Sequence, residues 1–219
     1  MLTYSPKIFS VPDEKAAMRI ILTPDGRSTE DRWAVETQAT VALAAPFLPL
    51  GPNDVMLDYG CGIGRLSKAF IERFGCRVIG VDISPEMRRL AHDYVASPLF
   101  SIFSREAFLG QVRAGLRVSG AVCVWVLQHC QNPAVDLSVI RDALRPEARL
   151  FVINNTFRAV PTVERVWAND GRDVKALLAE TLAVVAEGGF TETDVGPVLA
   201  SNTFWGAYEL PGASPPVSN

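Results

Sequence analysis

The chain of 219 residues lacks the features that would mark several other kinds of protein. Its four cysteines, Cys61, Cys76, Cys123 and Cys130, show no C-x-x-C spacing, and they form no zinc pattern with His92 and His129, the two histidines. No metal centre or disulfide framework is therefore expected, and the cysteines read as small hydrophobes in or beside apolar stretches. There is no basic excess either, with 21 Lys and Arg against 24 Asp and Glu and a net charge of −3. The arginines are scattered among acids, so no nucleic-acid partner is expected. That balance still allows a small acidic substrate held by one or two local arginines. The apolar run over 41–50 is broken by Pro46 and Pro49, far short of the roughly 20 residues that span a bilayer. No membrane partner is expected. The first residues, Met1 to Lys7, carry no basic segment leading into an apolar run, so no secretory signal is read there and a cytoplasmic protein is expected.

What is present is an ordinary globular composition, 48% hydrophobic and 21% charged, enough for one α/β domain with a single buried core. A turn is expected at Pro24-Asp25-Gly26, and Ser28 or Thr29 is placed to cap a helix over 30–46. Breakers fill 49–54, and the pattern then changes. Extended runs over 55–59, 77–81, 99–104, 121–127 and 149–153 alternate with helical stretches over 65–74, 86–95, a short one ending at Gln111, 132–144 and 173–187. Such alternation argues for a doubly wound, mostly parallel sheet. Two last runs, 190–195 and 203–210, have too few residues between them for a parallel crossover and must pair antiparallel. Residues 1–50 read as an N-terminal helical segment and substrate lid, 51–210 as the main domain, and 211–219 as a disordered tail rich in proline and serine.

The sharpest feature is Leu57-Asp58-Tyr59-Gly60-Cys61-Gly62-Ile63-Gly64-Arg65, a strand running through three alternating glycines into a helix. Glycines allow positive φ and close approach of backbone to a ligand, and the helix start offers free N–H groups. A dinucleotide fingerprint is G-x-G-x-x-G, whereas this turn is G-x-G-x-G. Asp58, two residues before the first glycine, would repel a pyrophosphate. It suits the ammonium group of S-adenosylmethionine, which carries no phosphate, so that ligand is favoured over NAD. Asp82 then ends the second strand, 22 residues after Gly60, where an acid can accept both ribose hydroxyls. The competing reading is that Asp82 caps the next helix.

Three stretches, LDYGCGIGRLS, VIGVDISPEM, and VLQHCQNP followed by LRPEARLFV, carry a resemblance to the class I S-adenosylmethionine-dependent methyltransferases, in particular their small-molecule (methyltransferase type 11-like) group. The resemblance covers 54–210. It implies an α/β, doubly wound, seven-stranded sheet with an antiparallel last strand, the Rossmann-like methyltransferase fold. It also implies that Gly60 and Gly62 line the methionine part of the cofactor with Asp58 near its ammonium, and that Asp82 holds the ribose. Ile83 would pack on the adenine, with Glu106 near the adenine amino group and Arg105 and Ala107 beside the ring. Tyr59, Cys61, Arg65, Met87 and Val126 complete the implied cofactor set. Two departures stand out: Ser119-Gly120-Ala121 begins the fourth strand where the family commonly has an aspartate, and Glu147-Ala148 replaces a frequent glycine pair.

The implied reaction is in-line displacement at the sulfonium methyl by a small-molecule acceptor. The site must align the reacting atoms and exclude water. His129 is the candidate base, its ordinary pKa near 6.5 suiting proton transfer. The other reading is that it lines the pocket or braces the following helix. Acceptor recognition is expected from Trp33 and Glu36 and from the stretches 154–158 and 163–167. The alternatives kept open are a non-catalytic regulatory protein that binds S-adenosylmethionine, a protein or RNA methyltransferase, and, for assembly, a monomer or a homodimer.

Overall fold

Residues 55–59 are buried throughout, as a strand must be when helices cover both of its faces. In a computed structural model, which describes residues 3–22, 28–191 and 202–212, this run is β1 (Val55–Tyr59), near the middle of a seven-stranded sheet. The others are β2 (Arg77–Val81), β3 (Phe100–Phe103), β4 (Val118–Val124), β5 (Leu144–Asn155), β6 (Ala183–Gly189) and β7 (Thr203–Glu209). Their order is β3-β2-β1-β4-β5-β7-β6, with β7 antiparallel to both neighbours and the other pairings parallel. The helices are α1 (Glu14–Ile21), α2 (Thr29–Ala44), α3 (Arg65–Phe74), α4 (Pro85–Val95), α5 (Arg105–Arg113), α6 (Pro133–Ala143) and α7 (Val174–Thr181). One apolar layer joins α5, α6 and α7 to the sheet through Phe108, Leu137, Ile140 and Leu178. The other joins α2 and α3 to the opposite face through Val41, Leu66 and Phe70. Each fully buried residue of that size is worth about 1.5–3 kcal/mol of burial. The doubly wound reading is therefore met, with an antiparallel last strand as expected, although β6 rather than the run 190–195 is its partner.

The chain order reverses between β1 and β4, so their carboxyl ends splay into a crevice, the place where such sheets bind ligands. Caps set the helices around it. Ser28 accepts from Asp31 N for α2, Ser84 from Met87 N for α4, Ser104 from Ala107 N for α5 and Asp173 from Ala176 N for α7. Each such cap satisfies a helix-end N–H that would otherwise be unpaired.

Several boundaries differ from the sequence reading. The helix expected over 173–187 stops at Thr181, and 183–189 is β6. Helical spacing of Leu177, Leu178, Leu182 and Val185 hid a strand whose paired valines and Gly188-Gly189 suit an edge ladder laid on β7. Of the strand expected at 190–195, Phe190 and Thr191 are in no strand, and 192–195 lie outside the described residues. So do Pro24-Asp25-Gly26 and 213–219, while Pro211-Gly212 forms a turn. β4 ends at Val124 because Trp125 takes a positive φ of 61°. β5 starts at Leu144, five residues earlier than expected, and its pairing with β4 shifts register between Val118↔Leu144 and Gly120↔Arg149. Glu147-Ala148 therefore lie within a strand, which is what the missing glycine pair permits.

The N-terminal segment contains α1, a helix to which the sequence reading gave no bounds. Asp13 caps it, and Ala17 and Leu22 bury against Trp33, Ile63 and Met87. Ahead of α1, Tyr4 bridges Thr162, Ser5 N donates to Pro161 O at 2.9 Å and Val163 N donates to Thr3 O at 2.9 Å. The segment 3–9 is thereby zipped to the stretch that follows β5. Among the described residues, no helix is long and apolar enough to cross a membrane.

Candidate active site

The glycine turn is built by its backbone. Gly60, Gly62 and Gly64 all have positive φ, at 79°, 56° and 83°, a region glycine enters without steric penalty. Gly60 N and Cys61 N both donate to Val81 O at 2.7 and 3.0 Å, tying the turn to the end of β2. The approach is close: a Cβ on Gly60 would fall 2.2 Å from Val126 Cγ2, and one on Gly62 would fall 2.6 Å from Ile21 Cδ1. The turn is thus pressed between the end of β4 and the roof formed by α1. Trp125, just before Val126, holds its left-handed conformation with its N–H donating to Ile153 O at 2.7 Å. A non-glycine residue there stores backbone strain.

Two acids flank the turn in different settings. Asp58 is buried, its Oδ2 accepting from Ser67 Oγ at 2.7 Å. Burial pushes its carboxyl up to about 6, against the Ser67 bond and the Arg65 charge that pull it down. Such a carboxyl calls for a cationic partner. Asp82 accepts from Gly62 N at 2.8 Å and from Ser84 N at 2.9 Å. It therefore braces the glycine turn and the α4 entry together, and burial raises its pKa above the ordinary value. Arg65 is buried, bonded to Thr37 Oγ1 at 3.1 Å and lying 5.5 Å over the Trp33 ring. Burial lowers its pKa to about 10, opposed by the charges of Glu36 and Asp58.

A cavity of about 400 Å³ runs from this turn to the covered side. The residues expected around a cofactor meet there: Asp58, Tyr59, Gly60, Cys61, Gly62, Arg65, Asp82, Ile83, Met87, Arg105, Glu106 and Val126 all line it. Ala107 does not line it; it is exposed and its N–H is spent on Ser104 Oγ at 3.2 Å. His129 lines the same space with Tyr4, Phe9, Ile20 and Ile21. None of those four, and not Asp136, was singled out from sequence. Tyr4 and Phe9 lie in a segment with no motif, and Asp136 reads as an ordinary first-turn helix acid.

The His129 network fixes its tautomer. Gln128 Oε1 accepts from Asn155 N at 2.7 Å, so its amide nitrogen is the donor to His129 Nε2 at 3.1 Å. Nδ1 then carries the hydrogen that is donated to Ala159 O at 2.6 Å. Burial lowers the His129 pKa, so the ring is neutral at pH 7. It packs edge-on to Phe9 at 5.7 Å and against Trp167 at 4.9 Å.

The acceptor-side expectations divide. Trp33 donates to Tyr94 Oη at 2.8 Å beneath Arg65, and Glu36 pairs with Arg32. The Arg158 side chain is fully buried, held by Asp170 at 3.0 Å and by Leu127 O at 2.9 Å. Asn154 accepts from Gln128 N at 3.2 Å. These side chains are engaged with protein partners outside the cavity wall, and Trp167 reaches the site through His129.

A family model described as a methyltransferase domain matches residues 32–186. The chain belongs to the methyltransferase-domain family. S-adenosylmethionine is the cofactor of these methyltransferases, and the residues present fit it. A glycine cradle with no room for a Cβ, a buried carboxyl that forms no ion pair among the described residues, and Asp82 beside the turn suit a ligand that is cationic at one end and hydroxylated in the middle. Among similar curated proteins, N-demethylindolmycin N-methyltransferase of Streptomyces griseus is 35% identical over 106 residues, 45% of this chain and 43% of that protein. The ubiquinone biosynthesis O-methyltransferase of Xylella fastidiosa (strain 9a5c) is 32% identical over 110 residues, 48% of this chain and 44% of that one. The chain thus spans less than half the length of these relatives. The fold is shared with geranyl diphosphate C-methyltransferase from Streptomyces coelicolor A3(2), at a TM-score of 0.60 and 15% identity over 95% of this chain and 90% of that one.

Proposed function

We propose that this methyltransferase moves the methyl group of S-adenosylmethionine onto a small-molecule acceptor held in the covered half of the cavity. The observation that carries the reading is the strap formed by segment 3–9. It is zipped to the stretch after β5, and its Tyr4 and Phe9 line the same cavity of about 400 Å³ as the glycine turn. A cavity of that size, shared with the cofactor, leaves room for a compact acceptor rather than a folded protein or a nucleic acid. The small-molecule methyltransferases among its relatives support this choice, and so does the absence of a basic excess.

Each group then has a task. Asp58 takes the cofactor ammonium, Asp82 the ribose hydroxyls, and Gly60 and Gly62 let the backbone come close. The cofactor, when bound, supplies an electrophilic methyl on a sulfonium. The chain's part is to hold the acceptor in line and keep water out, through Phe9, Ile20, Ile21 and the His129 ring. Where the acceptor must lose a proton, His129 Nε2 is the group to take it, exchanging its Gln128 partner for the acceptor.

The test is S-adenosylhomocysteine release with a panel of small hydroxyl and amine acceptors. Turnover of at least one is expected, with none on unfolded peptide or RNA. Release only with peptide or RNA, or cofactor binding without release on any acceptor, would overturn the reading. His129→Gln is expected to lower kcat by about 100-fold if its base role holds, with cofactor affinity unchanged.

A further inference from the structure

The cofactor half of the cavity contains an acid outside the glycine-turn and second-strand motifs. Asp136 sits in the first turn of α6 and is 9% exposed. Its Oδ1 accepts from the Tyr59 hydroxyl at 2.6 Å and from Arg105 Nε at 2.7 Å. The donors belong to the end of β1 and the start of α5, so three elements fix the direction of one carboxylate. Burial and Asp136 hold the Tyr59 phenol far above its usual range, so it stays a donor. Asp136, Tyr59 and Arg105 all line the cavity.

The order of the strands says which part of the ligand this set faces. The glycine turn closes β1, Asp82 follows β2, and Arg105 follows β3. A ligand with its amino-acid part at the first and its ribose at the second presents its base toward the third, where Arg105 meets Asp136. The exocyclic amino group of adenine is a pure donor and needs an acceptor there. Glu106, beside Arg105 in the first turn of α5, is exposed, so water competes with any bond it offers. A hydrogen bond to a buried, oriented carboxylate is stronger and more selective.

We propose that Asp136, oriented by Tyr59 and Arg105, reads the amino group of the adenine base from α6, in place of an acid on the loop after β3. The inference rests on the S-adenosylmethionine reading of the cavity. A carboxylate facing that position rejects a base with a carbonyl there, because two acceptors would meet and neither would be satisfied.

The experiment is calorimetric titration of the full chain with S-adenosylhomocysteine and with S-inosylhomocysteine, which carries a carbonyl in place of the amino group. The unaltered protein is expected to prefer the adenine compound by about 30-fold or more, as a site with an oriented acceptor does. Asp136→Asn should bring that preference below about threefold, since its amide can also donate. Glu106→Gln should leave the preference within about twofold, as an exposed group does. Tyr59→Phe keeps the Arg105 pair and should lower the preference several-fold, so the test survives if Asp136→Asn fails to fold. A preference under threefold in the unaltered protein overturns the proposal, as does one that persists in both Asp136→Asn and Tyr59→Phe or collapses in Glu106→Gln. Failure of the unaltered protein to bind S-adenosylhomocysteine would instead sink the cofactor reading on which it stands.

Discussion

The two halves of the cavity are built in different ways. The cofactor half is local: Asp58, the glycine turn and Arg65 lie within eight residues, and Asp82 reaches back to them through Gly62 N. The acceptor half is assembled from afar. Thr3 meets Val163, Tyr4 meets Thr162, and Phe9 meets His129 and Trp167. The first half is backbone with hydrogen-bonded carboxylates, and the second is side chains on a strap. On the proposed reading the first takes the cofactor and the second the acceptor, so cofactor affinity should depend strongly on the first and weakly on the second.

The largest expected effect that would break this comparison comes from Asp82→Ala. It removes the acceptor proposed for the ribose hydroxyls and also frees Gly62 N and Ser84 N. Losing charge-assisted hydrogen bonds of this kind costs about 3–4 kcal/mol, so S-adenosylhomocysteine affinity should fall at least about 100-fold in calorimetry. A folded variant with unaltered affinity would remove Asp82 from the site.

Next in size is the pH dependence set by Asp58. Its carboxyl titrates at about 6 in the free protein because burial disfavours the charge. On the proposed reading it meets the cofactor ammonium in its ionised form at pH 7, whereas below about 6 it takes up a proton that binding must release. Affinity should therefore weaken about tenfold per pH unit below 6, with proton release on binding visible in buffers of different ionisation enthalpy. The same shift acts on the empty protein in the opposite sense. A carboxyl raised in the fold contributes stability that is complete below the ordinary value of 3.8 and is lost as pH rises through 6. Cofactor should thus stabilise the protein more at pH 7 than at pH 5, and Asp58→Asn should flatten that difference.

Gly60→Ala comes third. It forces a Cβ into the positive-φ region and into Val126 Cγ2, costing about 1–2 kcal/mol for the backbone alone. A loss of roughly tenfold in cofactor affinity is expected, with a lowered Tm. Adding Val126→Ala should recover the steric part and leave the backbone part.

The contrast between the halves also explains what could be read from sequence. The glycine turn, Asp82 and the strand alternation were legible because local spacing dictates them, and twelve of the thirteen residues expected around the cofactor share one cavity. Ala107 stands apart because its N–H caps a helix and its side chain faces out. Tyr4, Phe9 and α1 were not legible, since their placement comes from a bridge to Thr162 and from burial against Met87 and Trp33, over distances that no local pattern encodes. Asp136 was hidden for the same reason, because its meaning depends on Tyr59, 77 residues away. β6 was misread because an edge strand with exposed valines has no inward alternation to reveal it: Val184 is 46% and Val185 37% exposed.

The smallest effect on cofactor binding is expected at the strap, and it sharpens the comparison because the same variants should act strongly elsewhere. Phe9→Ala and Trp167→Ala each strip one aromatic neighbour from His129, an interaction worth about 0.5–1.5 kcal/mol. Neither residue is hydrogen-bonded to the glycine turn or to its acids. S-adenosylhomocysteine affinity should therefore change by less than about threefold, while KM for a turned-over acceptor rises about tenfold as the wall that holds it loosens. In a double-mutant cycle, Phe9→Ala with Asp82→Ala should be additive for cofactor affinity, whereas Phe9→Ala with Trp167→Ala should couple for acceptor KM because both rest on one imidazole. A cofactor loss as large for Phe9→Ala as for Asp82→Ala would mean that the strap contacts the cofactor itself, and the division between a local half and one assembled from afar would not stand.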